Sequence, residues 1–424
     1  MAIAWQIGKT ENGLRVVTTP LATAQSVGVG IFVGVGSRME DRRTNGLSHY
    51  VEHLLFKGSA THPSALAISQ AIEGAGGILN AFTNRELTGY WTQVPYDRLD
   101  LAVDVLANMV TRPLLDPAEI DRERTVIQQE IRRAHDQPAH WMGELLSRAV
   151  YGDQPLGWPI AGSEESVQGI NPRDLLDHVA HWHVPENIVV SVAGNTDHNR
   201  VVSLVQEKMG SLPRSSFPSF LPFQPGLPEE RLQAESRDID QSNLAIGLPA
   251  LPRQDPNRYV LAILNAVLGR GMSSRLFKEV RERRGLAYSV GSSVSRHHDS
   301  GLLAISAGVS PQNVEETAKV ILEEVFRLAA EPVPDDEMTR ARDYSVGTFR
   351  LGLETTIALA LTTGESLLTT GEIESNDEVD RKLQAVTAEE VQILAQRLFS
   401  RDSVAMAVVG PQASTAVLQE ALSR

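Results

Sequence analysis

His49, Glu52 and His53 are the residues of this sequence best spaced to do chemistry. Two histidines four apart stand one above the other on a helix. Two imidazoles and a distant carboxylate can hold one catalytic zinc ion and leave a coordination position open for water. Glu52, set between the histidines, is a candidate base for that water. The distant carboxylate is expected at Glu130, on the buried-looking face of a later helix, with Glu123 on the same face. The sequence contains no cysteine. Thiolate metal sites and disulfides are therefore excluded, and His, Asp and Glu remain as ligand types.

Two helices must position these groups. The first is predicted over residues 45–57, with Thr44 or Asn45 as N-cap. Leu47, Val51, Leu54 and Leu55 follow helical spacing and define its core side, which leaves His49, Glu52 and His53 on the other. The second is predicted over residues 117–134, where Ile120, Val126, Ile127 and Ile131 form an apolar arc. Glu123 and Glu130, seven apart, fall inside that arc, and Arg122, Arg124, Arg132 and Arg133 mostly outside it. A carboxylate on a buried stripe is costly unless paired or bound to metal. For Glu123 the competing reading is an ordinary salt bridge to an arginine.

At 424 residues the chain suits two domains. Prolines at 213, 218, 222, 225 and 228 exclude a helix or central strand there. This predicts a linker over 213–229 between domains 1–212 and 230–424. The halves repeat one plan. Strand 27–35 answers 243–248, the strand run 77–92 answers 288–295 with 301–309, helix 117–134 answers 335–350, and closing strand 187–194 answers 403–410. Each half is predicted to be an α+β sandwich, a largely antiparallel sheet with helices on one face. In the repeat His49 and His53 fall opposite Leu261 and Asn265, and Glu123 and Glu130 opposite Ala341 and Thr348, so the metal set belongs to the first half alone.

The net charge of −14 disfavours a nucleic-acid partner and suits a basic peptide. Residues 1–5 lack the pattern of a signal peptide, and the apolar run 26–36 is too short to span a bilayer, so a cytoplasmic chain without a membrane partner is expected. The run from Gly28 to Gly34 has the wrong glycine spacing for a nucleotide fingerprint. His135 and His140 lie at a helix end and read as dipole partners. His181, His183, His297 and His298 read as structural or solvated.

The order His49-x-x-Glu52-His53 followed by Glu123 and Glu130 resembles the inverted zinc motif of the pitrilysin, insulin-degrading enzyme and mitochondrial processing peptidase family. The closest likeness is to its short two-domain processing-peptidase branch, and it covers nearly the whole chain. The resemblance implies a LuxS/MPP-like metallohydrolase fold. It implies one zinc per chain on His49, His53 and Glu130, Glu52 as general base, and Glu123 as support behind the ligands. It further implies that strand residues Asn80, Ala81, Phe82 and Thr83 pair with substrate backbone. Arg281 would grip substrate carbonyls and Tyr288 would donate to the oxyanion. Without the resemblance Arg281 reads as a surface charge and Tyr288 as a packed aromatic.

The implied activity is zinc-dependent endopeptidase cleavage of extended peptides or presequences inside a clamshell chamber. The long glycine-rich loop of the mitochondrial α subunit is absent; only Gly269-Arg270-Gly271 occupies its place. Because one chain carries both the zinc set and the arginine–tyrosine pair, a homodimer would suffice, with a heterodimer with a related subunit as the other arrangement. The alternative function is a non-catalytic core or scaffold subunit of the same fold.

Overall fold

The computed structural model describes residues 4–219, 221–226, 228–411 and 413–423. It forms two compact units, and neither is one contiguous half. The first comprises residues 1–131, 159–221 and 350–376, and the second comprises 132–158, 222–349 and 377–424. Each half thus lends one stretch to the unit built mainly by the other. The division at Leu221 and Pro222 falls inside the proline-rich stretch.

The first unit is built on six strands: β1 (Gln6–Lys9), β2 (Arg15–Pro20), β3 (Ser26–Val33), β4 (Ile78–Thr83), β5 (Thr88–Pro95) and β6 (Ile188–Gly194). Their order is β1-β2-β6-β3-β5-β4. Only the β2–β6 pair is parallel. Successive strand residues point to opposite faces. Val27, Val29, Ile31 and Val33 of β3 therefore join one core, shared with the helices Leu47–Leu55 and Leu99–Thr111. The alternate residues of β3 face the helix Thr356–Thr370 from the other half. A Cβ at Gly28 would stand 2.7 Å from the Cα of Ile357, so glycine is required for that approach. Ser26 and Thr356 hydroxyls meet at 2.9 Å, and Ser191 and Thr363 at 3.0 Å. The glycine-laced strand is thus a helix-docking face. The sandwich predicted with helices on one side carries this additional helix on the other.

The second unit has five strands: β7 (Leu232–Ser236), β8 (Ser242–Ala250), β9 (Ala287–Arg296), β10 (Gly301–Val309) and β11 (Ala405–Gly410). Their order, β7-β11-β8-β10-β9, reproduces β2-β6-β3-β5-β4. β7 and β11 form the parallel pair, as β2 and β6 do. One face packs on a core that includes the helix Arg258–Gly269. The other carries the lent helix Pro138–Tyr151, whose Leu146 and Val150 side chains crowd Gly247 of β8. On the helix Arg258–Gly269, Leu261 and Asn265 are buried, and Asn265 Oδ1 accepts from Ser292 Oγ at 2.6 Å. The place that answers the histidine pair is closed by packing. No helix among the described residues is long and apolar enough to cross a membrane.

Two histidines of the first unit make its stability acid-sensitive. His178 and His183 are buried. Burial, with smaller contributions from the charges of His183 and His181, lowers the pKa of His178 from 6.5 to about 3. Burial lowers that of His183 to about 4, against the opposing hydrogen bond of Nδ1 to the Val110 carbonyl at 2.8 Å. Above 6.5 both histidines are neutral folded or unfolded, and their contribution is flat. As pH falls below 6.5 only the unfolded chain takes up the two protons, so stability drops until the folded values are reached. The limiting slope is ~2.7 kcal/mol per pH unit. Urea midpoints measured from pH 7 to 4.5 should fall steeply; a flat profile would contradict the neutral buried pair.

Candidate metal centre

The helix Leu47–Leu55 starts later than the sequence predicts. Its N-cap is Gly46, with φ +97°, not Thr44 or Asn45. Leu47, Tyr50, Val51, Leu54 and Leu55 are buried, and His49, Glu52 and His53 lie on the less buried side, as the periodicity requires. The Tyr50 hydroxyl donates to the Ile120 carbonyl, and Arg124 sits 5.5 Å over the Tyr50 ring. These contacts lock the histidine helix to the acidic helix Pro117–Asp136.

The His49 and His53 ring centroids are 4.6 Å apart. Glu130 Oε2 lies 3.4 Å from His53 Nε2 and 3.9 Å from His49 Nε2. One ligand atom from each of His49, His53 and Glu130 lies within 4.8 Å of the others. The sequence places Glu130 on a buried face; the structure corrects this. The Glu130 side chain is 46% exposed, against 4% for Glu123. The acidic helix buries Ile120, Glu123 and Ile127, whereas Val126 and Ile131 are only half covered. The arc therefore loses its packing before position 130.

Glu123 stands behind the ligands. Its Oε2 lies 3.1 Å from His53 Nδ1, and its Oε1 is 2.7 Å from Lys57 Nζ. The arginine salt bridge weighed from sequence is replaced by this histidine–lysine pair. Burial would raise the Glu123 pKa, but the hydrogen bonds from His53 and Lys57 outweigh it and the carboxyl stays acidic. Burial likewise opposes charge on His53, yet the Glu123 hydrogen bond and the charges of Glu130 and Glu52 hold its pKa raised. His49 is lowered to about 4, by burial and then by His53. Its Nδ1 is buried without a hydrogen-bond partner, so no protein group sets its tautomer as Glu123 sets that of His53. With His53 Nδ1–H given to Glu123, Nε2 keeps its lone pair available to a metal. Two imidazole nitrogens and one carboxylate oxygen converging this closely fit a divalent transition metal of the zinc type.

Glu52 Oε2 accepts a hydrogen bond from Thr83 Oγ1. Burial raises the Glu52 pKa, the Thr83 hydroxyl and the His53 charge oppose this, and the Glu130 charge adds to it. Thr83, expected among the residues that pair with substrate backbone, has its side-chain hydroxyl on Glu52. β4 pairs only with β5, so Asn80, Ala81 and Phe82 lie on an edge strand. Asn80 Oδ1 accepts from the Ala81 N–H at 2.8 Å.

Arg281 and Tyr288 belong to the second unit. Arg281 lies in the last turn of a π-helix, Phe277–Arg283, a form frequent at functional sites. Its guanidinium lies 4.9 Å from the Phe277 ring and 5.5 Å from that of Tyr288. Tyr288 is 78% exposed, not a packed aromatic. Sequence reasoning missed Lys57, although it lies one turn beyond His53, because a lysine at a helix end reads as a dipole partner.

Residues 15–164 match the family model described as insulinase (peptidase family M16), and residues 169–344 match that of the peptidase M16 inactive domain. An uncharacterized zinc protease of Streptomyces coelicolor is 38% identical over 94% of this chain and 88% of its own length. Among solved structures, a protease from Helicobacter pylori superposes with TM-score 0.89 at 21% identity, covering 97% of this chain and 100% of that one. A chain of complex III from Candida albicans superposes with TM-score 0.81 at 20% identity, covering 96% and 95%. These two likenesses concern the fold alone. With a full-length relative at 38% identity and both halves matched by its models, the chain belongs to peptidase family M16.

Proposed function

We propose that this chain is a zinc-dependent endopeptidase acting on extended peptides. The observation that carries the reading is the convergence of His49, His53 and Glu130, with Glu52 on the same helix face. His49, His53 and Glu130 would hold one zinc per chain, which would supply Lewis acidity and make a nearby water more acidic. Glu52 accepts the water proton and later delivers it to the leaving amine. Thr83 holds the carboxylate in place. The free edge of β4 takes substrate backbone as an added strand at Asn80–Phe82. To Arg281 and Tyr288 we assign the grip on substrate carbonyls and the hydrogen bond to the developing oxyanion. The net charge of −14 favours basic peptides, presequences among them. A homodimer is the assembly we favour.

The test pairs elemental analysis with a quenched-peptide assay. About one zinc per chain is expected. Hydrolysis should vanish with a strong chelator and return on adding zinc. Metal-free protein that cleaves at an undiminished rate would refute the reading. The fold shared with a complex III chain keeps a non-catalytic subunit as the second reading. Stoichiometric zinc without cleavage of any extended peptide would favour it.

A further inference from the structure

The histidine helix is only nine residues long. A helix this short is not stable by itself and takes its position from what holds its ends. Its own N-cap, Gly46, makes no side-chain cap. The exposed N–H groups are taken instead by a carboxylate from upstream. Glu40 Oε2 accepts from the Gly46 N–H at 2.7 Å, and Oε1 from the Ser48 N–H at 2.7 Å. Oε2 also accepts from Asn45 Nδ2 at 3.1 Å. Asn45 is itself fixed, because Nδ2 reaches the Pro159 carbonyl at 3.0 Å and its own carbonyl accepts from Ser166 Oγ at 2.7 Å.

Glu40 is 6% exposed. Three N–H donors surround it, and no basic side chain pairs with it among the described residues. Burial pushes the pKa of the Glu40 carboxyl up, the Ser48 and Gly46 N–H groups and the Asn45 amide oppose this, and the positive end of the helix dipole favours the same carboxyl at this place. Ser48, one of its partners, directly precedes His49.

The residues just before Glu40 hold the other half of the site. The Ser37 and Arg38 N–H groups donate to the Asn84 and Arg85 carbonyls at 3.2 and 2.8 Å. The Arg38 guanidinium, 1% exposed, meets Glu86 at 2.7 Å. A Cβ at Gly36 would stand 2.2 Å from the Asn84 carbonyl oxygen, so only glycine allows the segment to lie there. Asn84 directly follows Thr83, the residue that orients Glu52. One four-residue segment, Ser37–Glu40, therefore grips the turn after β4 with one end and the histidine helix with the other.

We infer that Ser37–Glu40 is a positioning brace, in which Glu40 fixes the helix that presents His49, Glu52 and His53 relative to Thr83 and the edge strand. The inference rests on the zinc-peptidase reading. Glu40 touches neither substrate nor metal ligand in this role; it acts through the helix.

The experiment compares wild type, Glu40→Gln and Glu40→Asp as full-length chains. Zinc affinity is read by competition with a chelating dye at low temperature, together with kcat, KM and thermal melting. The Gln amide offers one acceptor oxygen, and its NH2 would face a backbone donor. Glu40→Gln should weaken zinc binding ~10–100-fold, the range for groups that orient ligands. It should lower kcat far more than it raises KM, with Glu40→Asp partly restoring both. Should Glu40→Gln not fold, Glu40→Asp carries the comparison, with a smaller loss in the same direction. A lower melting temperature with unchanged zinc affinity and kcat in the folded variant would reduce Glu40 to a structural cap and overturn the brace. Wild-type protein that binds no zinc would sink the peptidase reading itself.

Discussion

Glu52→Gln should bind zinc within a few-fold of wild type and cleave peptides ~10³–10⁴-fold more slowly in kcat, the size of a lost general base with its positioning. The geometry makes this substitution unusually clean. Glu52 is not one of the three groups that converge as ligands. Its one hydrogen bond is accepted from Thr83, and a glutamine oxygen accepts the same bond. Shape, hydrogen bond and the packing of the helix are all retained; the ability to hold a proton and one negative charge are removed. A small loss of zinc affinity is expected, because one negative charge that supports His53 disappears. KM should change little, since substrate pairing along β4 is untouched. Single-turnover cleavage of a quenched peptide, with zinc measured on the same sample, decides the matter. Cleavage within tenfold of wild type would remove Glu52 from the proton-transfer role.

The site was legible in sequence where chemistry coincides with local periodicity. His49, Glu52 and His53 share a face because helical spacing dictates it, and Glu123 is buried because Ile120 and Ile127 flank it on the same stripe. Glu130 was misread because the stripe was extended past the point where anything covers it. Helical periodicity shows which residues share a side, not how far along the helix the neighbouring core extends. The partner of the Thr83 hydroxyl was illegible for a similar reason: strand alternation reveals the face of a side chain, but Glu52 lies 31 residues away. The lent helices were illegible for a deeper reason. The helices 138–151 and 356–370 each carry buried apolar residues, and helical periodicity does not say which sheet they cover. A trace of it was present nonetheless. Glycine at position 28 leaves room for a close neighbour on that face, and the backbone near Ile357 fills it, while the Phe32 ring takes the space at Gly30. Glu40 left no comparable signal, since its partners are backbone N–H groups six and eight residues on.

The two glutamates of the acidic helix, seven residues apart, should separate cleanly on substitution. Glu130 is the exposed member of the three converging groups. Glu130→Ala removes one of three metal donors and should weaken zinc binding by well over ~100-fold, beyond the effect of any group that merely orients a ligand. Peptidase activity should be lost with it. The apo fold should barely notice, within ~0.5 kcal/mol, because surface substitutions away from packed features cost little. Glu123→Ala should behave in the opposite sense. It leaves the Lys57 ammonium and the His53 Nδ1–H without their shared acceptor in a largely enclosed place. Breaking a fully buried pair costs ~3–5 kcal/mol; with Lys57 27% exposed the cost should be nearer ~2 kcal/mol. Zinc affinity should fall only ~10–100-fold, because His53 keeps its place but loses the partner that fixes its tautomer. Urea unfolding of the apo variants and zinc titration of both give the two orderings independently. If Glu123→Ala abolished zinc binding while Glu130→Ala kept it, the carboxylates would exchange roles, and the ligand set would have to be redrawn around the buried one.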